Sequence, residues 1–312
     1  MLNEFWKSVA GKLAERWAAV AGPALVFWVG GLLAWMYSEG GTSALGSPSR
    51  WMGTQSAVVQ VVVLVAALCG VLASGMVVGR LTDPVLRLLE GYWPALAGGL
   101  RRRLVRAVGS RAQQRADRLR RLAGTVASGG GTPEERAEFI RLDRLHRRVP
   151  ATPDRHMPTR IGNTLRASES RPVDKYGLNI VAIWPQLWLV LPDGTRQELI
   201  SARGTVNSSV GAIIWGVAFM GFAPLAWWAV PVGLVVACAA WWSWLPRHVE
   251  AFADLMEAAV DIHRRALYEQ LRWPLPQTPA EERALGDRLT VYLVRGSDSD
   301  SPRFTPPATA GS

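Results

Sequence analysis

The 312-residue chain is expected to be an all-α membrane protein, with four transmembrane helices in two hairpins and helical cytoplasmic regions. Three observations predict this class. Hydrophobic residues make up 49% of the sequence and charged ones only 19%, which is unlike an ordinary soluble chain. Uncharged stretches long enough to cross a bilayer alternate with segments dense in arginine. Fifteen tryptophans fall mainly near the ends of the apolar stretches, where amphipathic rings settle at headgroup level. The net charge of +10, carried by 32 Arg and 3 Lys against 25 acidic residues, excludes an acidic disordered protein, and the composition excludes a disulfide scaffold and a heptad rod.

The first apolar run lies between Arg16 and Glu39 and predicts a span near 18–37. A secretory signal peptide is the competing reading, but the run is long for one and no clean small-residue cleavage site follows. The second run, between Arg50 and Arg80, predicts a span near 56–79 and closes an N-terminal unit of residues 1–79. The stretch 204–246 holds 43 residues without a charge, enough for two spans near 206–225 and 228–245, with Pro224, Trp227, Trp228 and Pro231 at the turn. Trp35, Tyr37, Trp51, Trp227 and Trp228 would mark one membrane boundary, and Trp17, Trp241, Trp242 and Trp244 the other. Trp28 and Trp215 fall mid-span, where they would pack between helices.

Orientation follows from the basic flanks. Lys12, Arg16, Arg80, Arg87, Arg196, Arg203 and Arg247 all fall on one side, which predicts the cytoplasmic (inner) membrane with both termini cytoplasmic. Residues 80–203 carry 23 basic and 12 acidic side chains, the largest net positive charge of any segment between the spans or at the ends.

Within the cytoplasmic region 80–205, Asp83-Pro84 resembles a cap and first-turn proline that would open a short helix, interrupted by Gly91 to Pro94. From Ala95 to about Ala123, Leu96, Leu100, Leu104 and Val108 recur at i+4 among nine arginines. The arginines of this helix are either solvated or paired, or they lie on anionic lipid; Arg101, Arg102, Arg103 and Arg106 are the candidate contacts. Nucleic acid is a weak candidate, because no aromatic platform interleaves the charges. A Gly-rich linker, 127–131, precedes the capping box Thr132-Pro133-Glu134-Glu135 and a helix to about 148; the same device at Thr278-Pro279-Ala280-Glu281 predicts a last helix to about Val294. Residues 149–159 read as a proline-broken loop.

The run 176–192 is interfacial, buried against helices, or a β-hairpin turning at Pro192-Asp193-Gly194, and Trp184 and Trp188 would touch lipid or a partner. Thr195 and Glu198 form another capping box that would start a helix leading into the third span. After the fourth span, residues 247–295 are expected to be cytoplasmic helices and 296–312 a disordered tail. From about 247 to 272, Glu250, Asp254, Glu257 and Asp261 form an acidic stripe opposite Phe252, Leu255, Met256, Ala259, Ile262 and Leu267. The stripe is solvated, pairs with the Arg101–Arg121 helix, or holds a cation.

No catalytic motif, metal-ligand spacing or cofactor loop is present, and the four histidines are scattered, so no catalytic, metal or cofactor residue is assigned. The two cysteines sit in apolar runs, and no disulfide is expected. Small residues mark one helix: Ala66, Gly70 and Ser74 at i+4, with Gly75 and Gly79 as GxxxG, a face for helix packing within the chain or between copies. Gln60, the polar side chain read as deep in a span, is the pore candidate if the protein is a channel.

The block Gly162-Asn-Thr-Leu-Arg-Ala-Ser-Glu169, Tyr176-Gly-Leu-Asn179, Trp184-Pro-Gln-Leu-Trp-Leu-Val-Leu-Pro192 and Leu267-Tyr-Glu-Gln-Leu-Arg-Trp-Pro-Leu-Pro276 resembles a family of uncharacterised multi-pass membrane proteins of high-GC bacteria. The likeness covers roughly residues 155–295 and not the Arg-rich 95–148. It implies a membrane location and no catalytic residue. The element order is also similar to that of bacterial bestrophin channels, in topology only, since their pore motifs are missing. The expected function is therefore a non-enzymatic, self-associating membrane scaffold whose basic helices contact lipid headgroups or a protein partner. An oligomeric ion channel and a membrane-bound enzyme are the alternatives.

Overall fold

The computed structural model describes residues 21–305, and they are helical with no strand among them. Lys12, Arg16, Trp17 and the start of the first expected span lie outside the described residues. Four helices are long and apolar enough to cross a membrane, those starting at Ala21, Ala57, Asp193 and Ala229. The described residues divide into two compact units, an apolar one of residues 21–86 and 206–245 and a polar one of 87–205 and 246–305.

In the apolar unit, α1 (Ala21–Ser38) is followed by a 3-10 turn and a short helix α2 (Gly46–Thr54) where only a linker was expected. Helix α3 runs from Ala57 to Glu90, well past the expected end at 79. Asp83-Pro84 therefore opens no new helix. Pro84 sits inside α3, whose preceding turns already exist, so the proline forfeits one backbone hydrogen bond without being able to set a start. Helix α8 (Asp193–Phe219) ends in a 3-10 turn at Met220–Phe222, and α9 (Ala229–Ala239) begins after the predicted turn at Pro224 to Trp228.

Glycine lets these helices close on each other. A Cβ at Gly216 would stand 2.8 Å from Gly233 O and Ala237 N, so α8 and α9 meet backbone to backbone. Gly30 and Gly31 of α1 are covered by the rings of Phe219 and Phe222. Phe27 completes this cluster, 4.8 Å from Trp215 and 5.1 Å from Phe222. Both mid-span tryptophans pack as expected: Trp28 Nε1 donates to Ser74 Oγ of α3 at 3.0 Å.

In the polar unit, α4 (Gly98–Ala127) and α5 (Pro133–Arg147) pair through Leu119, Leu122, Phe139 and Leu142. The Thr132 capping box forms in both directions. Four further helices, α6 (Arg160–Tyr176), α7 (Ile180–Val190), α10 (Leu245–Gln270, continued from α9 through a π turn) and α11 (Pro279–Arg295), surround the main core. Ile183, Leu187, Val260, Leu267, Tyr268 and Leu289 are buried there. At Thr278 only half of the capping box forms, because the Glu281 carboxylate accepts from Gln277 N instead.

Two expectations change here, and one of the open readings is selected. Within the 176–192 run, α7 packs against the core through buried Ile180, Ile183 and Leu187, Trp184 and Trp188 lie half-buried against it, Val181 and Leu189 stay exposed, and no hairpin forms. Helix α8 starts at Asp193, and the Thr195 hydroxyl lies 3.3 Å from His263 Nε2 rather than capping. The segment after α11 is not wholly disordered: Thr305 N donates to Arg272 O at 2.8 Å, and Phe304 meets Trp273 and Tyr292 edge to face.

Candidate functional site

The acidic stripe of α10 is the best-organised polar feature. One turn separates each of Glu250, Asp254, Glu257 and Asp261, so all four project from one face. A matching basic stripe lies on α6: Arg160, Arg171 and Lys175 fall within about 60° of one another at 100° per residue. Arg160 Nη2 donates to Glu250 Oε1 at 2.5 Å. Arg171 donates to Glu257, and Lys175 Nζ lies 2.7 Å from Glu257 Oε1 and 3.1 Å from Asp261 Oδ2. Arg148, at the end of α5, takes Asp254 in a bidentate pair at 2.5 and 2.7 Å. Tyr176 OH donates to Asp261 at 2.9 Å, and its ring carries the Arg264 guanidinium 4.0 Å away.

The expected partner of this stripe, the Arg101–Arg121 helix, is thus replaced by α5 and α6. Their basic residues were visible in the sequence, and so was the shared spacing. What could not be read was which two helices meet.

Pairing sets the protonation of the seam. Burial opposes the charge of Lys175, but its hydrogen bonds to Glu257 and Asp261 outweigh that and raise its pKa. The Asp254 hydrogen bond likewise raises that of Arg148. Asp143, Arg147, Arg171 and Lys175 line an open cleft of about 540 Å³ beside the stripe. Glu169 pairs with Arg166 and Asp174 with Arg155. Among the described residues, no group of three or more His, Cys, Asp or Glu is placed to hold a metal ion.

Helix α4 is different. Arg118 pairs with Glu138 and Arg120 with Asp117. Arg101, Arg102, Arg103, Arg106, Arg111, Arg115 and Arg121 have no acidic partner among the described residues. Upstream, Leu88, Tyr92, Leu96 and Leu100 are exposed.

The small residues of α3 divide. Ser74 holds Trp28 and Gly75 is buried, whereas Ala66, Gly70 and Gly79 are exposed, and a Cβ at Gly70 or Gly79 would meet nothing within 4 Å. Gln60 stands in the first turn of α3 rather than deep in a span, and its Nε2 donates to Met52 O at 3.0 Å and Gln55 O at 3.2 Å. It ties α2 to α3. Comparison with protein-family models, curated proteins and solved structures finds no match to this chain.

Proposed function

We propose that this chain is a non-enzymatic scaffold of the bacterial cytoplasmic membrane, with four spans in two hairpins and both termini and the polar unit in the cytoplasm. It self-associates through α3 and uses its basic helices to contact lipid headgroups or a protein partner. The orientation rests on the basic flanks of the spans. The observation that carries self-association is a contrast within the apolar unit. Gly30, Gly31, Gly216 and Gly233 are closed by neighbours of the same chain, while Gly70 and Gly79 of α3 remain open, as do Gly211 and Gly221; on α3 the two open glycines share their helix with exposed Ala66. The resemblance to multi-pass proteins of high-GC bacteria agrees with the location.

Subunit counting of the full chain in nanodiscs tests this. Gly70→Leu with Gly79→Leu is expected to shift the protein to monomers while leaving the helical content unchanged. A wild-type protein that is monomeric at every density would end the self-association reading.

A further inference from the structure

We propose that the α3–α4 elbow, residues 88–106, is a docking surface for anionic phospholipid headgroups, with Leu96 and Leu100 entering the acyl boundary and Arg101, Arg102, Arg103 and Arg106 binding the phosphates. The inference deepens the scaffold reading above and rests on its membrane location. It commits the basic helices to lipid and not to protein.

The elbow is a rigid structure with an apolar outer surface. Gly91 turns the chain at φ +105, and Tyr92 N donates to Arg87 O at 3.0 Å. Trp93 Nε1 ties back to Leu88 O at 2.8 Å. From the inner side Thr159 Oγ1 donates to Glu90 O at 2.9 Å, and Gly162 and Pro158 pack directly on Glu90 and Gly91. Turning outward to bury Leu88, Tyr92, Leu96 and Leu100 would therefore break this clamp. They remain exposed, Leu96 completely. Four large apolar side chains left open to solvent within one short elbow mark a contact surface.

Charge identifies the occupant. On the α4 wheel Arg101 and Arg103 lie about 100° and about −60° from Leu100 and flank the apolar edge, while Arg102 and Arg106 lie about −160° and about −120° from it and must reach the polar layer by their long stems. None of the four arginines has an acid partner among the described residues, whereas every acid of the α10 stripe is already engaged. Apolar side chains beside unneutralised cations complement a lipid leaflet with negative headgroups. Trp184 and Trp188, packed on the core, take no part.

The test uses the full chain with Cys69→Ala and Cys238→Ala, carrying an environment-sensitive fluorophore at Leu96→Cys, in nanodiscs of phosphatidylcholine with increasing phosphatidylglycerol. Emission is expected to shift to the blue and to be quenched by doxyl-labelled acyl chains as phosphatidylglycerol increases, and high salt should reverse both. The same label at Ile140→Cys, exposed on α5, is expected to stay in water. Each of the four arginines changed to Gln should weaken insertion about fivefold, equivalent to about 1 kcal/mol per basic residue near an anionic surface. Changing all four to Lys should preserve it, which separates charge from a structural need for arginine. A label at 96 as wet as that at 140 in anionic nanodiscs overturns the proposal, and so does insertion that ignores both phosphatidylglycerol and the Gln variants. Protection that arises only when cell extract is added assigns the surface to a protein and overturns it as well. Failure of the membrane reading is recognised separately, because the protein would then not incorporate into nanodiscs at all.

Discussion

Helices α4 and α6 are both rich in basic residues, yet the fold treats them in opposite ways. On α6, Arg160, Arg171 and Lys175 are spent on the acids of α10, and the helix around them is buried, Ile161, Leu165 and Ala167 included. On α4, only Leu119 and Leu122 are buried, and most of the arginines meet no acid among the described residues. The lesson is that arginine density says little about role. A basic stripe whose pitch matches an acidic stripe elsewhere builds the protein, and one without such a match is left for a surface or a partner.

The sharpest way to break this contrast is through glycine. A Cβ at Gly162 of α6 would collide with the Glu90 carbonyl, which is backbone and cannot yield, whereas one at Gly124 of α4 would meet open space. Gly162→Val is expected to destabilise the polar unit by about 3 kcal/mol, the upper end of overpacking costs. Gly124→Ala should stabilise α4 by about 0.5 to 1 kcal/mol, the usual gain for a mid-helix glycine. Thermal unfolding followed by circular dichroism checks both. Equal stability of the two variants would remove the distinction.

The charged seam gives the next largest effect. Glu257 is 14% exposed and holds both Arg171 and Lys175. Arg171→Met should cost about 2 kcal/mol, less than the loss of an isolated buried pair because Lys175 remains. The double variant with Glu257→Met should recover part of that, since no carboxylate is then left underpaired. Arg103→Met on α4 is expected to stay within about 0.5 kcal/mol, as surface changes usually do. Chemical denaturation of the three proteins in one detergent compares them directly, and a cost at Arg103 equal to that at Arg171 would contradict the comparison.

The legible parts of the fold were those set by local chemistry. Uncharged length placed the four candidate spans, and Thr132 and Thr278 placed the starts of α5 and α11 through caps that need only four consecutive residues. Asp83-Pro84 misled because the same dipeptide is a start signal after a loop and an internal interruption in a running helix. The acidic stripe was readable from periodicity, but its partners were not. Arg148 and Lys175 lie 106 and 82 residues from their carboxylates, and nothing local distinguishes them from the arginines of α4. Ile262 shows the same limit: it was assigned to the packing face of α10 and is exposed, because periodicity fixes an angle and not the width of the neighbour.

The smallest effect concerns protons. Burial raises the pKa of Tyr268, the net effect on Lys175 is also upward, and Tyr268 OH has no hydrogen-bond partner among the described residues. Both groups hold their protons more tightly in the folded state than in the unfolded one. Their contribution is therefore fully present below about pH 10, near the free values of both side chains, and is lost as the pH rises above it. Alkaline loosening should begin at α10 and α11, with their amides exchanging faster while those of the α4–α5 pair are unchanged, as hydrogen exchange at matched intrinsic rates would show. Tyr268→Phe should flatten part of this loss. At neutral pH it should also stabilise the unit by up to about 1 kcal/mol, because it removes a buried hydroxyl that nothing satisfies. If Tyr268→Phe instead destabilises the unit, the hydroxyl has a partner in solution. If α4 loosens first, the α10 seam is not the region held together by titrating groups.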